Sequence, residues 1–598
     1  MNKLILTMCF LAVTAKITAQ KLPDYEPLAK DFTPIELACF IADKIVDQTK
    51  FEYEYVLQQP YADIEAIDFG QSFDRSEPGV AYALSTLFSE KEQIASIEVG
   101  RSGSLKIWIN DELVFNQKGK KDLQLKFDEK TYVLPESFTV HLNKGENKIL
   151  IKSGYDGTGA WKLFLQGQNM GPYAEKGGKI TASLNKYAPS VDLVNWLVTG
   201  CFENTGGRGM DMVYEPENEI VLHKIFERSG RKFTWDIPRV HINTTNPGGG
   251  KFYSWSYHVG GFVWGLQRLS QETRIKKYND YASAWCEYTL NTMPIAEYQT
   301  RELNAVRSMN WGTVERPMLD YTTAPSLPFM TRLVYEKEFP IRVKYAAHAE
   351  KIMNYLINEQ FRLPGGLLAR KYTISPSVWA DDMFMGIPYM LFSAQYTSDP
   401  ILSRKLFDDA ASQIIQFNKM LYKEELKLYM QACYADRPDE KIPFWSRGNG
   451  WAIWGTSEVL QHLPKNHPQY KTILKIYQKH IEGISQTQDS EGYWHNILDM
   501  PETVRESSGT AIFTLCIARG INNGWLNKKK YGPVVEKGWN ALKSFIDKDG
   551  NLFGVKGGTN FSTDPQDYAR TPFVKSDTHG ILPLIFACIE MDKYMNKK

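Results

Sequence analysis

SVWADDMFMGIPYM, residues 377–390, sets two adjacent carboxylates, Asp381 and Asp382, at the head of an apolar run through Met383, Phe384, Met385 and Ile387. An acid beside such a run is costly to bury unless something satisfies or uses it. The same grammar, a polar residue at a loop–helix junction followed by an apolar helix, recurs through the C-terminal part of the chain. His258, Asp320, Asp381, Arg447, Glu506 and His579 mark the junctions, with steps of 62, 61, 66, 59 and 73 residues between them. Two helices and two loops need roughly 50–70 residues. Six such hairpins close into an (α/α)6 barrel that presents one polar junction per unit to a common pocket.

Outward from these junctions the helical periodicity continues. YHVGGFVWGLQRL (257–269), KYAAHAEKIMNYLINEQF (344–361), SQIIQFNKMLY (412–422), KTILKIYQKHIEGI (471–484) and GTAIFTLCIARGI (509–521) carry apolar residues at helical spacing. Upstream the pattern changes. SLKIWINDELVF (104–115) alternates through Leu105, Ile107 and Ile109 and turns at Asn110-Asp111. SFTVHLNKGENKILIKSG (137–154) does the same around Lys144–Asn147, and AWKLFLQG (160–167) is a further short strand. Short alternating runs split by Gly and Asn turns predict an antiparallel β-sandwich, of the jelly-roll kind, as a spacer or a sugar-binding module. GPYAEKGG (171–178) reads as a linker. TPIELACFIADKIV (33–46) has helical spacing and is expected beside the sandwich. The predicted organisation is a signal peptide at 1–19, a β-sandwich at 20–180 and a mainly α, (α/α)6-barrel catalytic domain at 181–598.

The 598 residues carry 43% apolar and 23% charged side chains and a formal charge of +1, which points to no nucleic-acid or anionic-membrane partner. MNKLILTMCFLAVTAKITAQ has an apolar stretch too short to span a bilayer and reads as a secretory leader, so a secreted, periplasmic location is expected. The seven cysteines are scattered without CxxC pairs, so neither a zinc site nor a disulfide framework is indicated, and Cys516 and Cys588 read as core thiols. No HExxH, GxSxG, GK[ST] or GxGxxG motif is evident, and the Gly-rich GRSGSL (100–105) and NPGGGK (246–251) read as turns. Aromatics make up 13%, which suits either large cores or sugar-stacking platforms.

SVWADDMFMGIPYM, FWSRGNGWAIWG (444–455), GYWHNILDMPETVRESSGTAIF (492–513) and SDTHGILPLIFA (576–587) together resemble, in this order, the signatures of the unsaturated uronyl hydrolases. They are most similar to the unsaturated rhamnogalacturonyl hydrolase group, glycoside hydrolase family 105, over about residues 185–598. The resemblance implies an (α/α)6 barrel, in agreement with the period. It also implies hydrolysis of the 4,5-unsaturated uronate that a polysaccharide lyase leaves on an oligosaccharide. An acid protonates C4 of the vinyl ether, water adds at C5, and the hemiketal opens and expels the neighbouring sugar. No metal or organic cofactor is implied, and the expected partner is the unsaturated uronyl oligosaccharide itself.

On this resemblance Asp381 is the general acid/base and Asp320 the second acid; the alternative for each is a helix cap. Asp382 is the lesser partner, because adjacent positions at a helix start face different ways. Arg447 and Trp451 would hold the uronate by a bidentate ion pair and by ring stacking, against a structural salt bridge as the alternative. Gly448 and Gly450 would let backbone approach the ligand. Ser508 and Thr510 would recognise the carboxylate, with Glu506 capping the same helix. His495 would bind a sugar hydroxyl or stand near the water, and His579 would bind substrate or close the barrel. Trp379, Tyr257 and His258 are pocket candidates. One departure stands out: after Leu428-Tyr429, where many relatives carry His, this chain has Met430-Gln431. Two rivals remain open: a conventional retaining or inverting glycosidase on the same barrel, and a non-catalytic carbohydrate-binding protein. The parent polysaccharide, the origin of the uronate and the oligomeric state are not encoded in any motif.

Overall fold

The computed structural model describes residues 22–596 except 29, 50, 57–65, 73–77, 122, 124–132, 168–179, 184–195, 203–238, 244–251, 302–310, 315–317 and 372–374. The expected leader, the linker at 171–178 and NPGGGK lie outside the described residues. Two compact units emerge. The first comprises Met1–Phe51, Thr244–Asn291 and Glu315–Lys598, and the second Glu52–Asn243 and Thr292–Val314. The boundary expected at 180 thus falls inside the second unit.

Twelve helices of nine residues or more are present among the described residues. They are α1 (Pro34–Val46), α2 (Tyr257–Thr273), α3 (Lys276–Arg301), α4 (Leu327–Tyr335), α5 (Arg342–Asn358) and α6 (Ile387–Tyr396), followed by α7 (Pro400–Leu421), α8 (Ser446–His462), α9 (Tyr470–Gln486), α10 (Ser507–Asn522), α11 (Lys528–Ser544) and α12 (Thr578–Asn596). Helices α2, α4, α6, α8, α10 and α12 each contact the next, and α12 contacts α2, so six helices form a closed ring. The alternate helices lie outside it: α5 on α4, α7 on α6, α9 on α8 and α11 on α10. Helix α3 reaches the ring through Tyr281 on Phe262 and Trp285 on Phe329.

Burial explains the two helix types. In α8, Ser446 through Leu460 are all buried, because neighbours surround a ring helix on every side. In α9 only a stripe is buried, including Ile473, Tyr477, His480, Ile481 and Ile484, and the other face is polar. Close ring packing needs small residues. A Cβ on Gly455 would lie 2.3 Å from the Met383 carbonyl oxygen, and one on Gly450 2.7 Å from Ile512 Cδ1. Gly450 therefore serves helix packing rather than ligand approach.

Helix α1 corrects the sequence reading. It starts with a Thr33/Glu36 capping box and Pro34 at its first position, and it packs on α12 and α2 within the helical unit. Its Leu37, Ala38, Ile41 and Ile45 share the core of the helical unit. The outer layer is thus completed by a helix that precedes the β region in the chain.

The second unit holds a four-stranded and a six-stranded sheet among the described residues. Ile67, Ile97, Val99 and Leu163 from one sheet and Ala81, Ile107, Ile149 and Ile151 from the other share one core, which makes a sandwich. The Asn110-Asp111 turn joins Leu105–Ile109 to Glu112–Gln117 with both central residues at positive φ, 51° and 71°. Glu136–Leu142 and Gly145–Tyr155 do not pair with each other; the turn between them carries the chain from one sheet to the other. No described helix is long and apolar enough to cross a membrane.

Candidate active site

Strand Ser377–Trp379 pairs antiparallel with Ala432–Tyr434, and the Ala380 N–H donates to the Gln431 carbonyl at 2.8 Å. This register brings Asp381 and Gln431 to one place. Asp381 sits at the N-cap of a short helix, Asp382–Met385, yet its side chain makes no capping bond. The carboxyl is buried, and its Oδ2 has no hydrogen-bond partner. Burial pushes its pKa up to about 7; Arg370 and Arg447 oppose the shift and Asp320 and Asp382 add to it. Across from it, a Cβ on Gly448 would lie 3.4 Å from Gln431 Cγ and 3.7 Å from Asp381 Oδ2, so this glycine keeps the space beside the carboxyl clear. Gln431 accepts from the Tyr568 hydroxyl at 2.5 Å, while its Nε2, also buried, has no partner.

Asp320 and Asp382 are held by Arg370, which no motif had singled out. Its Nη1 donates to Asp320 Oδ2 at 2.9 Å, and its Nε and Nη2 donate to the two oxygens of Asp382 at 3.1 and 2.6 Å. Its guanidinium lies 4.4 Å over the Trp379 ring. Asp382, set aside in the sequence reading, is therefore a full member of the cluster. Burial raises the Asp320 carboxyl against the opposing charge of Arg370. The one sequence signal for Arg370 is a lone cation inside the apolar GGLLAR run, 365–370.

Arg447 is fully buried and largely committed. Nη1 donates to Ser508 Oγ at 3.0 Å and to the Lys556 carbonyl at 2.8 Å, and Nη2 donates to the Gly557 carbonyl at 2.5 Å. Only Nε lacks a partner. The bidentate clamp expected of it is not available from its two terminal nitrogens. Trp451 is also fully buried, with Phe384 stacked at 4.7 Å and Trp454 at 5.9 Å. It is part of the ring core rather than an open stacking platform. Ser508 donates to the Glu506 carboxylate and Thr510 to the Glu506 carbonyl at 2.7 Å. Glu506 caps α10 through the Gly509 N–H, also at 2.7 Å.

On the facing side, the Tyr257 hydroxyl meets His579 Nε2 at 2.5 Å, and His579 Nδ1 meets Asp577 Oδ1 at 2.5 Å. His258 stacks on His579 at 4.1 Å and hydrogen-bonds Thr578. Burial lowers both imidazoles, His258 to about 3, so both are neutral at neutral pH. Asp320, Asp381, Arg447 and Asp577 all act electrostatically on the buried Tyr257 hydroxyl, which ties the two sides of the ring into one site. His258, Asp577 and His579 bring three ligand-type atoms within 4.8 Å of one another. Stacked imidazoles direct their lone pairs side by side rather than to one point, so these residues suit a hydrogen-bond relay better than a metal ion. His495 belongs to a different cluster: its ring bonds the Thr503 carbonyl and Asp489, which also binds Arg505.

Among the described residues, the buried polar atoms with no hydrogen-bond partner include Asp381 Oδ2, Gln431 Nε2, Arg447 Nε and Trp451 Nε1. Asp381 and Gln431 both lie against Gly448, the residue after Arg447, so their open hydrogen-bonding positions are the ones a polar ligand would take up.

The sequence matches the family described as Glycosyl Hydrolase Family 88 over residues 239–595. Two curated relatives are both called unsaturated 3S-rhamnoglycuronyl hydrolase. The protein from Alteromonas sp. (strain LOR) is 34% identical over 183 residues, 30% of this chain and 43% of that protein. The one from Formosa agariphila is 29% identical over 185 residues, 30% of this chain and 49% of that protein. The chain thus spans about half the length of these relatives. A solved structure from Salmonella enterica, described as a possible member of the GH105 family, is 19% identical and covers 59% of this chain and 86% of its own, with a TM-score of 0.48.

Proposed function

Since this chain belongs to glycosyl hydrolase family 88, we propose that it is a glycosidase releasing the terminal 4,5-unsaturated uronate from lyase-generated oligosaccharides by hydrating the C4=C5 vinyl ether. The observation that carries the reading is the state of Asp381: a buried carboxyl with an unengaged oxygen and a pKa of about 7. Such a group holds a proton near neutrality and can give it to carbon, which an ordinary surface carboxylate cannot. An incoming uronate carboxylate would raise that pKa further. The unengaged donors Arg447 Nε and Gln431 Nε2 are assigned to the substrate's carboxylate and hydroxyl oxygens. Arg370 holds the Asp320 and Asp382 side chains beside the acid, and both carboxyls add to the upward shift of Asp381.

The names of the two relatives support trying first the products in which the unsaturated uronate is attached to rhamnose. The test is a panel of lyase-generated oligosaccharides followed by loss of the double bond's ultraviolet absorbance. Turnover of at least one member is expected, and run in heavy water it should place deuterium at C4. Cleavage without deuterium at C4 would point to direct hydrolysis of the glycosidic bond. Tight binding without turnover across the panel would make the protein a carbohydrate binder.

A further inference from the structure

We propose that Tyr257 takes the proton from the attacking water and that His579 and Asp577 form the relay behind it. The inference rests on the hydration reading above; it leaves Asp381 the acid and moves the base half, expected of Asp381 from the sequence, to a second group.

The geometry fixes the direction of the relay. Against the cost of burial, His579 holds the Asp577 carboxyl well below the usual carboxylate range. An ionised carboxylate only accepts hydrogen bonds, and Asp577 Oδ1 accepts from both His579 Nδ1 at 2.5 Å and the His579 backbone N–H at 2.8 Å. The imidazole proton is therefore on Nδ1, and Nε2 presents a lone pair to the Tyr257 hydroxyl at 2.5 Å. Tyr257 spends its own hydrogen on His579, which leaves its oxygen lone pairs for another donor. Tyr257 is the first residue of α2, and its ring stands T-shaped to Trp451, which itself stacks on Phe384 of the Asp381 segment. A structural Tyr–His bond would need no ionised carboxylate behind it. A base does, because the imidazolium it forms is stabilised by one.

The step balances. The Asp381 O–H bond breaks and a C4–H bond forms with the alkene electrons. The water oxygen bonds to C5, its proton passes to Tyr257 Oη, and the phenol proton passes to His579 Nε2, giving an imidazolium against Asp577. The C5–O5 bond breaks as the C5 hydroxyl becomes a ketone and its proton moves to O5; the C1 hemiacetal so formed collapses to an aldehyde, its C1–O bond to the neighbouring sugar breaking as the O5 proton moves to the departing sugar oxygen. The imidazolium proton then returns through Tyr257 and water to Asp381, and one water has been consumed. The groups facing His579 are Tyr257 and His258 on α2, Arg447 on α8, Glu506 at the start of α10 and Asp577 beside it. The relay works only with neutral His579, so the rate falls as pH drops through its lowered pKa. Asp381 must be protonated, so the rate also falls as pH rises through about 7.

The test uses the full chain and a lyase-generated disaccharide of 4,5-unsaturated uronate on rhamnose, with pH profiles of kcat/KM and thermal melts. Y257F leaves His579 Nε2 without its partner and should melt a few degrees lower, yet fold, keep its KM within threefold and lose at least about 100-fold in kcat, the usual scale for a positioned base. H579Q should lose a similar factor, and its profile should lose the acid limb while the alkaline limb near 7 stays. Y257F with kcat within threefold of the parent overturns the relay, as does an unchanged acid limb in H579Q. An active D381N, by contrast, or a parent protein inert on every member of the lyase-product panel, overturns the hydration reading and the relay with it.

Discussion

The two ends of the helical ring bury ionisable groups to the same depth and treat them in opposite ways. At the end where α8, α10 and α12 stop, Arg519 donates to Glu458 at 2.6 Å and to Glu590 at 3.3 Å, and the Trp454 indole adds a bond to Glu458 at 2.9 Å. Burial alone would raise Glu458, but Arg519 and His462 bring it down to about 2. At the end where the ring helices begin, burial wins at Asp381, which stays near 7 with one oxygen unengaged. The contrast teaches that a buried charge does not by itself mark a site. What separates the two ends is an open carboxyl oxygen held at a raised pKa, with the open amide of Gln431 close by.

The largest effect that would break this contrast is on activity. D381N should lower kcat by about 10³-fold or more, the upper range for a group that moves a proton, with no loss in thermal stability. Arg519→Met should do the reverse. Removing the cation takes from two buried carboxylates the guanidinium they share, leaving His462 and Trp454 on Glu458 and Asn522 on Glu590, at about 3–5 kcal/mol of stability by chemical denaturation, while kcat of the folded fraction stays within twofold. If the outcomes were exchanged, the assignment of the two ends would be wrong.

A smaller, sharper difference lies in pH. Asp381 has its folded-state pKa raised, so its burial costs nothing below about pH 4 and destabilises progressively as pH rises through 7. D381N should therefore gain stability over the parent between pH 4 and 8. Glu458 has its pKa lowered, so its contribution is present above about 4.5 and is lost as pH falls toward 2. E458Q should be less stable than the parent at pH 6, by a gap that closes on acidification. Each change is on the order of 3–4 kcal/mol at its limit, and melts of both variants across pH 3–8 measure the two opposite slopes.

What the sequence made legible follows from what repeats. The six junction residues could be picked out because one hairpin occupies about the same length each time: the structure sets His258, Arg447, Glu506 and His579 at the starts of ring helices, and Asp320 and Asp381 in short turns seven and six residues ahead of theirs. Asp381, Gln431 and Glu506 could be read locally, from an acid before an apolar run, a departure in a motif and a cap. Arg370, Asp577 and the Arg519 network could not, because their partners are defined only when the ring closes. Helix α1 was misplaced for the same reason: the β region separates it from α2 and α12, which it covers. Trp451 shows a further limit. An indole four residues after Arg447 reads equally as a platform or as core, and only the rings of Phe384 and Trp454 on its faces decide.

The smallest effect concerns a residue inside the functional end that the geometry assigns to support. Ser508 Oγ accepts from Arg447 Nη1 at 3.0 Å and donates to the Glu506 carboxylate, which also takes the Gly509 N–H and, at 3.2 Å, the Lys556 N–H. The hydroxyl is spent on holding Arg447 against the start of α10, and substrate has no claim on it. Ser508→Ala should therefore cost about 1–2 kcal/mol, the price of an unsatisfied buried partner, and leave KM within twofold. A tenfold rise in KM at unchanged stability would show that the hydroxyl reaches the uronate, and the boundary between supporting and reacting groups would then have to be redrawn to include the α10 terminus.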